Sequence, residues 1–211
     1  FDDDRFAAAA AAPRAGACFT TKALTAKLPA RVAALVVDEP YRAFVTAARA
    51  LFAQAPRLPS LYPAGGSAGS QVHPTARLEA DVTIEPGAVV GPGAEIGSGT
   101  VIAANAVIGG EVRIGRNCVI GAGATIGHAL IGYRVLIHAG CHIGDASLDV
   151  LAGDESGRKL PPRGRVIIQD NVEVGVGTTI DRGGIRDTVV GEATKIDNLV
   201  WVGHNANIRR H

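Results

Sequence analysis

A six-residue spacing of aliphatic residues runs through most of this chain and restricts its possible folds more than any other feature. Nineteen Leu, Ile or Val residues mark the spacing, and eleven of them are followed by Gly. These anchor positions are Leu78, Ile84, Val90, Ile96, Ile102, Ile108, Ile114, Ile120, Ile126, Ile131, Ile137, Ile143, Ile168, Val174, Ile180, Val190, Ile196, Val202 and Ile208. A smaller series of Ala, Val, Thr or Cys lies two residues before the anchors. Residues two apart on a strand share a face, so both series should point inward.

A period of six fits neither a helix nor a simple alternating strand, and is typical of the hexapeptide repeat of a parallel β-helix. Three short strands joined by tight corners make one coil of about eighteen residues, and stacked coils bury a continuous aliphatic column. The predicted fold class is mainly β: a parallel β-helix preceded by a small, truncated α/β domain. The period does not fix the handedness, and the left-handed type is assigned from the resemblance to hexapeptide proteins.

The repeat defines the domain boundaries. Residues 1–62 lack it and are predicted to form the truncated α/β domain, with residues 63–71 as a Gly-rich linker. In that first domain, residues 32–37 predict a short buried strand. Residues 38–41 predict a helix start, with acidic residues first and a proline in the first turn. The β-helix is assigned to residues 72–211.

The repeat disappears between Gly144 and Val166, so residues 145–165 are predicted to be a loop inserted at one corner of the β-helix. Loops on a rigid scaffold commonly carry function, and a long loop without its own periodicity is unusual in a compact domain. A tolerated surface insertion is the alternative interpretation.

Composition excludes several classes of protein. A net charge of +1 gives no reason to expect a nucleic-acid partner, and no apolar run approaches the roughly 18 residues that a membrane span needs. From the sequence we expect no signal peptide. Cys18, Cys118 and Cys141 form no CxxC pair, and the last two lie in the inward series, so we expect inert core thiols in a reducing cytoplasm. Since the chain starts at Phe1 and stops one hexad past Val202, we expect a fragment lacking both ends.

Six ordered sequence strings resemble one family. They are residues 38–44 (Asp-Glu-Pro-Tyr-Arg-Ala-Phe), 72–76 (Val-His-Pro-Thr-Ala), 164–168 (Gly-Arg-Val-Ile-Ile), 178–183 (Thr-Thr-Ile-Asp-Arg-Gly), 195–198 (Lys-Ile-Asp-Asn) and 203–205 (Gly-His-Asn). Together they are similar to the UDP-3-O-acylglucosamine N-acyltransferases of lipid A biosynthesis. The hexapeptide repeat alone would be shared by many acyltransferases, whereas the strings between residues 164 and 205 are specific.

The resemblance implies a uridine-binding N-terminal domain, a left-handed β-helix and a homotrimer. It also implies transfer of a 3-hydroxyacyl chain from the phosphopantetheine thioester of acyl carrier protein to the 2-amine of the UDP-sugar, with no bound cofactor. Phe1 and Phe6 would be the aromatic residues of the uracil site if one residue is deleted. Residues 145–151 depart from the family's usual string, which puts the usual contacts of this loop in doubt.

The implied chemistry needs a general base, because an amine that attacks a thioester must lose a proton as it forms its new bond. His204 follows the anchor Val202 at a corner, and matches the family's base residue for residue. Asp197, seven residues earlier, could orient the imidazole or stabilise its charged form. Asp181 and Arg182 are expected to be structural residues at a subunit contact.

His138 and His142 are four residues apart, a spacing that invites a zinc-site interpretation. In a β-helix, however, His138 follows the anchor Ile137 and His142 precedes the anchor Ile143, so the two side chains flank different corners. No third histidine is well placed, and we predict no metal.

Two other functions stay open at this point. One is a different hexapeptide acyltransferase of a sugar nucleotide, against which the α/β unit and the strings of residues 178–205 both argue. The other is an inactive, truncated β-helix that only folds or trimerises, and the altered 145–165 loop favours that interpretation.

Overall fold

The computed structural model describes residues 3, 5, 14–52, 69–146 and 161–210. Contacts group the chain into two compact units, Phe1–Arg57 and Leu58–His211. Phe1 and Phe6, and the uracil site predicted for them, lie outside the described residues. The same holds for most of the predicted linker and most of the predicted loop.

The first unit combines two strands and a helix. Strands β1 (Ala17–Thr20) and β2 (Ala33–Val36) pair in parallel, with the 3₁₀ helix Lys22–Lys27 between them in sequence. Helix α1 spans Pro40–Leu51, and its first residue is proline. The predicted helix start is therefore confirmed, because the fixed backbone angle of proline suits the first helical turn.

The strand predicted at residues 32–37 is present as β2, but the prediction that it is buried is wrong. Val32 is 6% exposed, but Leu35 and Val36, in β2, are 42% and 53% exposed. The apolar face of α1 is also open, since Tyr41 and Leu51 are 71% and 77% exposed. The physical reason is that the described part of this unit is a two-stranded sheet with one α-helix, so no second layer covers these side chains.

The second unit is a β-helix of twenty short parallel strands. These are β3 (Gln71–Val72), β4 (Arg77–Leu78), β5 (Thr83–Ile84), β6 (Val89–Val90), β7 (Glu95–Ile96), β8 (Val101–Ile102), β9 (Val107–Ile108), β10 (Arg113–Ile114), β11 (Val119–Ile120), β12 (Thr125–Ile126), β13 (Ala129–Ile131), β14 (Leu136–Ile137), β15 (His142–Ile143), β16 (Val166–Ile168), β17 (Glu173–Val174), β18 (Thr179–Ile180), β19 (Thr188–Val190), β20 (Lys195–Ile196), β21 (Trp201–Val202) and β22 (Asn207–Ile208). Each of the nineteen anchors is the last residue of its strand, as the period predicts.

The strands form the three faces of a left-handed prism. The first face has the order β22-β19-β16-β13-β10-β7-β4, the second β20-β17-β14-β11-β8-β5, and the third β21-β18-β15-β12-β9-β6-β3. Equivalent anchors stack in register, as Ile102, Ile120 and Ile137 do on the second face. Since successive strands go to successive faces, residues about eighteen apart become neighbours.

The anchors form the core except at the ends of the stack. Ile102, Ile120 and Ile137 are 0% exposed, whereas Leu78, in an end strand, is 40% exposed. Cys118 and Cys141 are also 0% exposed, which confirms their placement in the core. Burial raises the pKa of both thiols and so disfavours the reactive thiolate.

Glycine follows the anchors for a reason that the sequence interpretation missed. A Cβ on Gly121 would lie 2.5 Å from the backbone nitrogen of Ala139 in the next coil, so close stacking excludes a side chain there. The left-handed backbone occurs instead at the third corner position, as at Gly123 with φ +67° and Asn205 with φ +55°. The first corner residue thus sets the stacking distance, and the third makes the turn.

Charged side chains also connect coils across the surface. Arg116 donates from Nε and Nη2 to the two carboxylate oxygens of Glu79, at 2.7 and 3.1 Å. The backbone N–H of Ser98 donates to the same carboxylate at 2.9 Å. The pKa of Glu79 is lowered to about 2, mainly by its hydrogen bonds with the Arg116 guanidinium.

Candidate active site

One edge of the prism carries the candidate base His204. The chain passes from the third face to the first face at this edge, after β3, β6, β9, β12, β15, β18 and β21. It carries His204 after β21, Arg182 after β18, His128 after β12, and both described ends of the inserted loop. We call it the His204 edge.

His204 is the middle residue of its corner and is half-buried. Its Nδ1 lies 2.6 Å from Nδ2 of Asn205, which follows it in the left-handed conformation. The Oδ1 of Asn205 accepts the backbone N–H of Gly184 at 3.1 Å. The corner therefore positions the imidazole through a side-chain amide that is itself bonded to the preceding coil.

This contact assigns the imidazole proton. A backbone N–H only donates, so the oxygen of Asn205 must face Gly184 and the amide NH₂ must face His204. The NH₂ group only donates, so Nδ1 of His204 accepts. In the neutral state the proton of His204 is therefore on Nε2.

Asp197 lies at a different edge, where the chain leaves β20 on the second face for β21 on the third. Its Oδ1 accepts the backbone N–H of Asn198 at 2.7 Å, and its carbonyl oxygen accepts the hydroxyl of Thr178 at 2.9 Å. None of the described hydrogen bonds joins its carboxylate to His204. The orienting role of Asp197 stays a prediction.

Two side chains near His204, those of Asn205 and Trp201, had no role predicted from the sequence. Asn205 was part of a matched string, but nothing in the spacing shows that its amide contacts the imidazole. Trp201 is the only tryptophan of the chain and is 70% exposed, and its indole Nε1 donates to Asp181 at 3.1 Å. Its outward position before the anchor Val202 was the available signal.

His138 and His142, the two histidines of the zinc-site interpretation, have local partners. His138 Nε2 lies 3.1 Å from Glu173 Oε1, and Lys195 also pairs with this carboxylate. Both contacts lower the pKa of Glu173, and the hydrogen bond from Lys195 has the larger effect. His142 shares a 2.8 Å hydrogen bond with the hydroxyl of Thr125 on the third face. Among the described residues, no group of three or more His, Cys, Asp or Glu side chains is placed to hold a metal ion.

Arg182 and Asp181 make contacts within the chain. Arg182 donates from Nε to the carbonyl oxygen of Gly164 at 2.7 Å. Its backbone N–H donates to the backbone carbonyl oxygen of Asp145 at 2.9 Å. These bonds hold the two described ends of the inserted loop against the β18 corner. Partial burial lowers the pKa of the Arg182 guanidinium. The predicted subunit contact of these residues stays a prediction.

Comparison with known proteins supports the assignment of the hexapeptide repeat and finds similarity along the whole chain. The bacterial transferase hexapeptide family model (six repeats) matches residues 75–110 and 93–128. A UDP-3-O-acylglucosamine N-acyltransferase of Nitrobacter hamburgensis is 58% identical over 212 aligned residues, which cover 100% of this chain and 59% of the relative. The enzyme of that name from Azorhizobium caulinodans is 54% identical over 211 residues, with the same two coverages.

The chain is a hexapeptide-repeat homologue of the UDP-3-O-acylglucosamine N-acyltransferases. The resemblance stated from six short strings is thus confirmed over the full length of the chain. The chain spans 59% of the length of these relatives.

The solved structure of the Arabidopsis UDP-N-acetylglucosamine acyltransferase shares the fold. Its TM-score to this chain is 0.51 at 21% identity, over 66% of this chain and 49% of that one. The similarity confirms the β-helix architecture. Within the described ranges, no helix has the length and apolar character that crossing a bilayer would require.

Proposed function

We propose that this protein is an N-acyltransferase that moves a 3-hydroxyacyl chain from acyl carrier protein to the 2-amine of UDP-3-O-acylglucosamine, in the cytoplasmic part of lipid A biosynthesis. The observation that carries the proposal is the 58% identity, over the whole chain, to a relative of that name. The buried free thiols of Cys118 and Cys141 are compatible with a reducing compartment.

In the proposed reaction, the amine nitrogen attacks the thioester carbonyl carbon while His204 accepts the amine proton. The tetrahedral intermediate then expels the phosphopantetheine thiolate, the C–S bond breaks, and the imidazolium returns the proton to sulfur. The products are the amide and the free thiol of the carrier, so atoms and charge balance. A positioned base of this kind contributes about 10²- to 10⁴-fold to the rate.

The Asn205 contact constrains how His204 can act. In the observed arrangement the in-plane lone pair of the imidazole is on Nδ1, where it accepts from the Asn205 amide. Proton uptake therefore requires the amide to leave Nδ1, because its NH₂ group only donates. Nδ1 can then accept the amine proton directly, or it can take the ring proton and leave Nε2 as the base. A carboxylate that accepts from Nδ1–H stabilises the second tautomer, and this is the role that we propose for Asp197. Because Asp197 and His204 lie at different edges of one chain, the carboxylate would come from a neighbouring copy in the proposed trimer.

Besides the UDP-sugar, the proposal includes acyl carrier protein as a partner and a homotrimer, in which two further copies of the chain bind to the first. Ile185 and Leu199 are 81% and 82% exposed, and large apolar side chains of this kind are suited to an interface. In a trimer with closed cyclic symmetry, each prism would pack its flat faces against the two neighbouring prisms. Sedimentation that finds only monomers at micromolar concentration would contradict the trimer.

A donor comparison tests the function. The purified protein is given UDP-3-O-acylglucosamine with either 3-hydroxyacyl acyl carrier protein or acetyl-CoA, and the N-acylated product is measured by mass spectrometry. We expect product from the acyl carrier donor only. Product from acetyl-CoA alone would favour another hexapeptide acyltransferase, and no product from either donor would favour an inactive β-helix.

A further inference from the structure

A pocket rich in arginine lies on the His204 edge, within the second unit. Its volume is about 590 Å³. Corner glycines of two earlier coils, Gly93 and Gly110, form part of its wall. Its charged and titratable lining comprises Arg113, Arg163, Arg165, Arg182, Glu111 and His128. The lining contains four guanidinium groups and one carboxylate, so the pocket carries a net positive charge.

Two of the four guanidinium groups have carboxylate partners, at long distances. Arg113 Nε lies 3.4 Å from Glu95, and Arg165 Nη2 lies 3.6 Å from Asp187. Charge-assisted hydrogen bonds are usually about 2.7–2.9 Å long, so neither pair has the geometry of a strong one. Both groups retain donors that a stronger anion could engage.

The other two guanidinium groups, those of Arg163 and Arg182, have no carboxylate partner among the described residues. Arg163 is exposed, and its backbone N–H donates to Gly184. Arg182 is half-buried, and its side chain donates to one neutral acceptor, the carbonyl oxygen of Gly164. Burial of a cation without a counter-charge costs free energy, which an anion in the pocket would offset.

The pocket is adjacent to the coil of His204. Asp181, next to Arg182, donates its backbone N–H to the carbonyl oxygen of Val202 at 2.9 Å. A ligand along this edge could therefore reach from the guanidinium groups toward His204 without leaving the surface of the prism.

We propose that this pocket binds a phosphate group of a substrate, with Arg163 and Arg182 as its principal donors. The planar guanidinium group matches phosphate oxygens in pairs, which makes arginine the preferred residue for this contact. The inference rests on the proposed function, in which both substrates carry phosphate. The sources are the diphosphate of the nucleotide sugar and the phosphodiester of the carrier's phosphopantetheine.

The test uses two variants and a matched control. Arg163→Gln removes an exposed guanidinium and should leave the fold intact. Arg163→Gln combined with Arg182→Gln removes both cations that lack a carboxylate partner among the described residues. Arg186→Gln is the control, because Arg186 is exposed, lies near Arg182 in sequence and does not line the pocket. Thermal melting is measured for each protein.

Binding of inorganic pyrophosphate, measured by calorimetry, tests the pocket without relying on the reaction. We expect the parent and Arg186→Gln to bind it alike, Arg163→Gln to bind it more weakly, and the double variant to lose about tenfold or more in affinity. The affinity of the parent should also fall with added salt. No binding to the parent, or equal affinity in the parent and Arg163→Gln, would overturn the proposal whatever the protein catalyses.

Steady-state kinetics of the same variants then distinguish the two sources. A KM that rises for the UDP-sugar alone assigns the pocket to the nucleotide diphosphate, whereas a KM that rises for the acyl carrier alone assigns it to the phosphopantetheine phosphate. Unchanged KM values for both substrates, in variants that fold and turn over, would overturn the assignment to a substrate. If the parent shows no acyl transfer, the proposed function fails, and the pyrophosphate result still decides the anion site.

Discussion

Truncation of one anchor tests the packing of the β-helix. Ile120 lies at the centre of the second face, is 0% exposed, and pairs in register with Ile102 below and Ile137 above. We predict that Ile120→Ala destabilises the protein strongly. Its neighbour Val119 points outward from the same strand and is half-buried, so Val119→Ala is the matched control.

The expected magnitude follows from how little the site can collapse. Isoleucine-to-alanine changes in cores cost about 2–5 kcal/mol, and the value rises with the cavity left behind. Around Ile120 the coils are held at a fixed spacing by parallel backbone hydrogen bonds, such as Gly121 N–H to Ile137 O at 2.7 Å. We therefore expect about 4 kcal/mol for Ile120→Ala, against about 1 kcal/mol for Val119→Ala.

Urea unfolding and thermal melting measure the difference. For a protein of this size, about 4 kcal/mol corresponds to a fall in Tm of about 8–16 °C. Ile120→Asp, which would bury an unpaired carboxylate, should prevent folding altogether. If Ile120→Ala and Val119→Ala melted within a few degrees of one another, the inward assignment of the anchors would be wrong.

Two further predictions concern the corners and the surface. Gly121→Ala should destabilise the protein more than Gly123→Ala. The new Cβ at position 121 would lie 2.5 Å from the backbone of the next coil, whereas a Cβ at position 123 meets nothing within 4 Å and carries only the strain of φ +67°, about 1–2 kcal/mol. Equal losses of stability in urea unfolding would disprove the stacking argument. Glu79 has a folded-state pKa lowered to about 2 from 4.5, so its contribution to stability is present above pH 4.5 and is lost as the pH falls toward 2. Unfolding measured across that window should depend less on pH in Glu79→Gln than in the parent, and an unchanged slope would show that solvent screens the pair with Arg116 completely.

Much of the fold was predictable because the repeat is local. Each hexad specifies one strand and one corner, and the anchors and the two core cysteines, Cys118 and Cys141, are where the period places them. The first unit was less predictable, since the exposure of Leu35 depends on which layers cover its sheet. The sequence of residues 32–37 does not contain that information.

The candidate site was predictable only in part. His204 is identified by a string of three residues, but its contact with Asn205 depends on the corner geometry and on a hydrogen bond from Gly184 in the preceding coil. The arginine pocket combines residues from position 93 to position 182, and the insertion between residues 145 and 165 breaks the periodicity that would have aligned them. Neighbours of this kind emerge only when the coils are stacked.

The most direct test of the account is the turnover number of His204→Ala with UDP-3-O-acylglucosamine and 3-hydroxyacyl acyl carrier protein. His142→Ala is the control, because His142 is an exposed histidine that lies within a strand of the third face and not at a corner. We predict that His204→Ala keeps the melting temperature of the parent and its affinity for the UDP-sugar, while kcat falls at least about 10²-fold. His142→Ala should retain the kcat of the parent. Turnover of His204→Ala within about tenfold of the parent would show that His204 is not the base.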